Sequence, residues 1–150
     1  MSSLYVRGQI TSFIGTNLAT EKVIDLSGHY EDIRDILTAA GLTDSSNWLG
    51  LQFIGTEERA INVGADNSKG CYREFGSIYL HVVEPARLGV ANAILTRATT
   101  IINAFRGQRI NDMIITGLTP PNLEAGSTID FEAGFSSASI IVDYYRDLNL

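Results

Sequence analysis

The chain has 150 residues, a net charge of −6 and one cysteine. That length suits one domain able to bury roughly 70% of the surface its unfolded chain exposes, so folding needs neither a metal nor a disulfide. A lone cysteine excludes an internal disulfide and a cysteine-rich zinc site, and eleven dispersed Lys and Arg form no basic stripe of the kind that grips nucleic acid.

No charged start followed by an apolar stretch marks a secretory signal. No apolar run nears the ~20 residues of a membrane span. The expected setting is the cytoplasm, or a particle assembled there.

In chain order, residues 4–18 place Val6, Ile10, Phe13, Ile14 and Leu18 at helical spacing. Leu4, Val6, Ile10 and Ile14 also share a parity that suits a strand, and Gly8, Thr11 and Thr16 weaken a helix. Helix is the reading taken. Lys22–Leu26 reads as a short strand, broken by Ser27-Gly28. Tyr30–Ala40 reads as a helix, with Tyr30, Ile33, Ile36, Leu37 and Ala40 on one face. Glu31 and Asp32 suit its first turn, and Gly41 its end.

Trp48–Ile54 reads as a strand. Residues 55–70 are polar and glycine-spaced and read as a long connection, with a short strand at most over Ala60–Val63. Phe75–Glu84 alternates cleanly: Ile78, Leu80 and Val82 on one side, Ser77, Tyr79, His81 and Val83 on the other. A helix of about 22 residues, or 33 Å, is predicted from Pro85 to Arg106. Val90, Ile94, Ala98, Ile101 and Phe105 mark its apolar face, and Gly107 ends it. Strands follow at Arg109–Gly117, Thr128–Phe135 and Ser136–Arg146, with a Pro- and Gly-rich loop after the first. The fold class is α+β: a mostly antiparallel sheet against one long amphipathic helix, about 85–106, with one or two shorter N-terminal helices, in a single domain spanning 1–150.

The reactive-looking residues carry little chemistry. Cys71 and His81 lie ten positions apart, about 33 Å on an extended strand, whereas a nucleophile and its base must touch. Cys71 reads as a small filler near a loop end and His81 as a strand residue on the more polar face. His29 with Asp25 or Asp32 is a thin metal set. Asp66 to Gly70 has the look of a calcium loop, but Ser77 stands where the twelfth-place glutamate belongs. Glu31, Asp32, Asp35, Glu57 and Glu58 read as wet surface. No catalytic, cofactor-binding or metal-ligating residue is assigned, and no enzyme is expected.

The run NWLGLQFIGTEERAINVGADNSKGCYREFGSIYLHVVEPA, the amphipathic helix after it, and the terminal AGFSSASIIVDYY together resemble the tail terminator proteins of long-tailed bacteriophages. The likeness spans residues ~47–148 and rests on element order and polarity. Phe135, Ser136, Ser137 and Ala138, then Ile140, Val142 and Tyr144, stand in the family's C-terminal strand. The strand and second helix over 22–41 depart from the family pattern.

The resemblance implies a structural virion protein without a cofactor. It implies a homo-oligomeric ring, typically hexameric, on the head-proximal end of the tail tube. Such a ring stops tube polymerisation and offers a surface to the neck and head-completion proteins. DNA passes through its lumen without specific binding. Glu57, Glu58, Arg59, Asp66, Asn67 and Lys69 are the expected contact residues toward a neighbouring subunit or the tube. Some of Glu31, Asp32, Asp35, Glu57, Glu58 and Asp66 are expected to face the channel. A neck, head-closure or tail-completion ring is the nearest alternative. A small hydrolase using His81 or His29, or a ligand-binding module, is a more distant one.

Overall fold

A computed structural model describes residues 4–26, 33–43, 45–60, 71–123 and 135–149. Its elements in chain order are α1 (Leu4–Asn17), β1 (Val23–Asp25), α2 (Ile33–Ala39), β2 (Trp48–Ala60), β3 (Cys71–Pro85), α3 (Val90–Phe105), β4 (Arg109–Ile110), β5 (Met113–Leu118), β6 (Asn122–Leu123) and β7 (Phe135–Asn149). The strands form one sheet in the order β1-β2-β3-β7-β5-β4, with β6 also paired to β7. Every pairing is antiparallel except β1 with β2. The fold is α+β.

Strand alternation decides which layer covers which face. Leu49, Leu51 and Phe53 of β2, Ile78, Leu80 and Val82 of β3, and Ala138, Ile140, Val142 and Tyr144 of β7 belong to one buried cluster with α1 and α3. α1 contributes Val6, Ile10 and Ile14, a stripe four residues apart. Each is fully buried, which is worth about 1.5–3 kcal/mol per side chain. Gly8 and Gly15 sit where an added Cβ would meet nothing, so these weak helix formers lie off the packed face.

Two helices therefore share the face on which one was expected to dominate. α3 is also shorter than expected, at 16 residues. Pro85 is still in β3, paired with Phe135. Gly89 then takes a left-handed φ of 76° at the N-cap, a conformation that no helix interior contains. Gly107, at φ 66°, follows the C-terminus.

The opposite face holds a smaller cluster of Ile24, Ile36, Leu37, Trp48 and Val83. α2 supplies Ile36 and Leu37 to it. The β1-α2-β2 crossover is what allows β1 to run parallel to β2. α2 begins at Ile33, so the expected first turn with Glu31 and Asp32 lies outside the described residues.

Three further expectations change. Residues 55–60 are not loop: β2 runs on to Ala60 and β3 starts at Cys71, so the polar connection shrinks to 61–70, which lies outside the described residues together with the strand expected at Ala60–Val63 beyond residue 60. The glycine spacing masked this extension. Gly55 sits at a bulge, between Gly55 and Glu57, and pairs with Gly76. Arg109–Gly117 is not one strand but a hairpin, because Asn111 turns the chain at φ 54°. Asparagine tolerates that conformation better than most residues. The strand expected over Thr128–Phe135 lies outside the described residues except Phe135, which opens β7.

Candidate functional site

Of the expected contact residues, Glu57, Glu58 and Arg59 lie at the outer end of β2, and all three are exposed. Asp66, Asn67 and Lys69 lie outside the described residues. The three that are seen stand on a strand and not on a loop, so their side chains alternate between faces. Arg59 pairs with Glu57 at 2.8 Å and lies over the Phe75 ring, 5.7 Å from its centroid. Glu58 stands directly across from Glu74. Among the described residues it has no ion pair.

The border of the sheet beside these residues is open. β1 pairs with Leu49 to Leu51 only, and Leu26 N–H reaches the Leu51 carbonyl. From Gln52 to Ala60 no described strand pairs with the outer side of β2. Backbone groups in such a border are a template for another chain.

The carboxylates expected in a channel do not stand together. Asp35 is exposed on α2, which packs over Trp48 at the start of β2. Glu57 and Glu58 are nine or more residues further along, about 30 Å at strand rise. Glu31, Asp32 and Asp66 lie outside the described residues.

The largest polar constellation is one that sequence reasoning missed. Arg97, on α3 between Ile94 and Ile101, points back to the sheet. Its guanidinium donates to the Val83 carbonyl (2.9 Å), the Trp48 carbonyl (3.3 Å), Glu84 Oε1 (3.0 Å) and both oxygens of Glu21. The planar fork satisfies two carboxylates and two strand ends at once. Glu84 also accepts from Asn47 and Arg87. Burial pushes the Glu84 carboxyl up, but hydrogen bonds from Asn47 and Arg87 and the nearby Arg97 charge push it down further, leaving it below its ordinary value. The sequence held one clue: an arginine where the flank of an apolar helix face should be neutral.

A second ion pair closes the other end. Arg146 Nε donates to Glu74 at 2.7 Å, and the Tyr144 hydroxyl stands 3.4 Å from the same carboxylate. Arg146 also lies over the Tyr5 ring of α1. Gly76 is required here, because a Cβ would come within 2.6 Å of Tyr144 Cζ.

His81 lies on the face expected of it but is buried, at 1% exposure. Its Nδ1 is 3.1 Å from the Ser139 hydroxyl and its Nε2 is 3.4 Å from Gln52 Oε1. A proton on Nε2 serves both contacts: Nε2–H donates to Gln52, and Nδ1 accepts from Ser139. Burial lowers its pKa to about 4. β3 pairs with β7 from Cys71 to Pro85 without a register shift, so Cys71 and His81 stand on one extended strand, ten residues apart. Cys71 does not serve as a nucleophile for this imidazole. His29 lies outside the described residues. Among the described residues, no group of three or more His, Cys, Asp or Glu is gathered as a metal site.

No protein-family model matches the sequence, and no curated protein matches it. Solved structures do. One chain, whose name carries no functional word, aligns with a TM-score of 0.51 at 13% identity, over 96% of this chain and 97% of its own. At that identity the likeness is one of fold alone.

Proposed function

We propose that this chain is a structural virion protein that forms a ring on the head-proximal end of a phage tail tube, ends tube growth and presents a surface to the neck. The observation that carries the reading is the unpaired outer side of β2 from Gln52 to Ala60, ending in exposed Glu57, Glu58 and Arg59. A tube grows through head-to-tail contacts that never close. A terminator must match the last ring on one face and refuse the next on the other. A strand border ending in charged side chains supports such a role: it pairs with a partner whose charges fit and repels one whose charges do not.

Negative-stain electron microscopy of the purified protein, alone and mixed with tail tubes, tests the reading. Rings and tubes capped at one end are expected. A protein that stays monomeric and ignores tubes at high concentration refutes it. Rings that leave tubes uncapped but bind connector-bearing heads favour the neck or head-closure alternative.

The His81–Ser139 contact is the one observation favouring a hydrolase. It is a poor one. Ser139 is buried, the third member of the row is an uncharged glutamine, and a base with a pKa of about 4 takes a proton reluctantly at neutral pH. Labelling of Ser139 by a fluorophosphonate in the folded protein would reverse that ranking.

A further inference from the structure

Two arginines stand apart from the rest. Arg7, Arg59, Arg73, Arg87, Arg97 and Arg146 each have a carboxylate partner. Arg106 and Arg109 bond only neutral oxygens, those of Asn103 and the Asn111 carbonyl. Both are exposed. They flank β4, the strand at the far border of the sheet from β2.

The register places these cations level with the uncompensated anion. Glu58 stands opposite Glu74, Glu74 opposite Arg146, Arg146 opposite Met113, and Met113 opposite Ile110. One transverse row therefore runs from Glu58 at the β2 border to Ile110, next to Arg109, at the β4 border. A copy added at either border meets its neighbour's opposite charge without sliding along the strands.

We infer that the ring closes by head-to-tail pairing of the sheet, with the Gln52–Ala60 border of one copy docking on the Arg106–Ile110 border of the next and Glu58 facing Arg106 and Arg109 across the joint. The inference rests on the ring reading above and names the joint that reading needs. Strand sense agrees. β2, β7 and β4 run one way and β3 and β5 the other, so the new pair is parallel, as β1 with β2 already is. Joining unlike borders is a heterologous contact, which closes into a ring when no axial rise is added. The level row supplies that condition. β4 offers only two paired residues, so the ladder is short and the charges carry much of the selectivity. Assembly is therefore sensitive to salt, because exposed charges are screened within about 8–10 Å at 0.1–0.15 M.

The test uses charge reversal on the full chain, read by sedimentation velocity. Glu58→Arg alone, and Arg106→Glu with Arg109→Glu alone, are each expected to raise the concentration for half-assembly about tenfold or more, because like charges then face each other. All three reversals together are expected to restore most of the assembly. The residues are exposed, so unchanged thermal melting certifies each fold. As a second measurement, Glu58→Cys with Arg109→Cys in a Cys71→Ser chain is expected to give a ladder of subunits with a short bismaleimide.

Rings that form equally well from the one-sided variants overturn the joint. So does a triple variant no better than its parents, or two-fold dimers in place of rings. If those same rings still cap tubes, the joint is wrong while the terminator reading stands. If the unaltered chain forms no ring and ignores tubes, both fall.

Discussion

Replacing Arg97 with methionine isolates the energetics of the buried network. The arginine side chain is 15% exposed, and its partners Glu21 and Glu84 are 11% and 6% exposed. Methionine keeps the aliphatic length but leaves two carboxylates and the Trp48 and Val83 carbonyls without their shared donor. Removing one partner of a buried pair costs about 3–5 kcal/mol, because the surviving charge stays desolvated. Arg87 and Asn47 still serve Glu84, which places the expected loss near the lower end. For a chain of this size, each kcal/mol moves the melting temperature by about 2–4 °C. The expected drop is therefore on the order of 6–12 °C for a 3 kcal/mol loss, with an unchanged denaturant slope in urea.

Arg97→Lys is expected to recover little, since one ammonium cannot bridge both carboxylates and both strand ends. Replacing the three together, Glu21→Leu, Arg97→Met and Glu84→Leu, is expected to return stability to within about 1 kcal/mol of the parent, as apolar substitutes for buried ion pairs often do. A single Arg97→Met loss below about 1 kcal/mol would refute the reasoning. It would mean that water reaches the carboxylates once the arginine is gone.

Acid stability is expected to fall in two stages. His81 titrates at 6.5 when unfolded and about 4 when folded, so the unfolded state binds more protons between those values and stability drops as pH falls from 6.5 toward 4. The window is worth on the order of 3 kcal/mol, and urea melts of His81→Gln should lose that slope. Glu84 acts lower: its folded value lies below 4.5, so its contribution is full above 4.5 and vanishes as pH falls through the lowered value. Glu84→Gln should flatten that part of the curve. Gly76→Ala is expected to destabilise by about 1–3 kcal/mol through overpacking against Tyr144, and shortening Tyr144 to leucine in the same chain should recover part of the loss seen in thermal melts. Asn111→Ala should cost about 1 kcal/mol in chemical denaturation and Asn111→Gly much less, because φ is 54° there.

The sequence alone determined the elements whose side chains alternate or recur without interruption. Ile78, Leu80 and Val82, and Ile140, Val142 and Tyr144, could only be strands with one buried face. Val90 through Phe105 could only be an amphipathic helix. α1 was legible from Val6, Ile10, Ile14 and Leu18 despite its glycines. Boundaries were not, where a local signal competed with pairing. The glycines and charges of residues 55–60 resemble a loop, yet backbone bonds to β3 hold them extended. Pro85 resembles a helix start, yet it still pairs with Phe135.

The candidate interface was half legible. Glu57, Glu58 and Arg59 were marked by polarity. Which border they occupy, and that Arg109 lies on the same transverse row at the other border, depended on the order β1-β2-β3-β7-β5-β4, a set of long-range pairings that no local pattern encodes. The same holds for Arg97. A charge on a helix flank is ordinarily solvated, and only the packing of α3 across the ends of β2 and β3 turned it inward, where the desolvated carboxylates of Glu21 and Glu84 and two strand-end carbonyls required a donor.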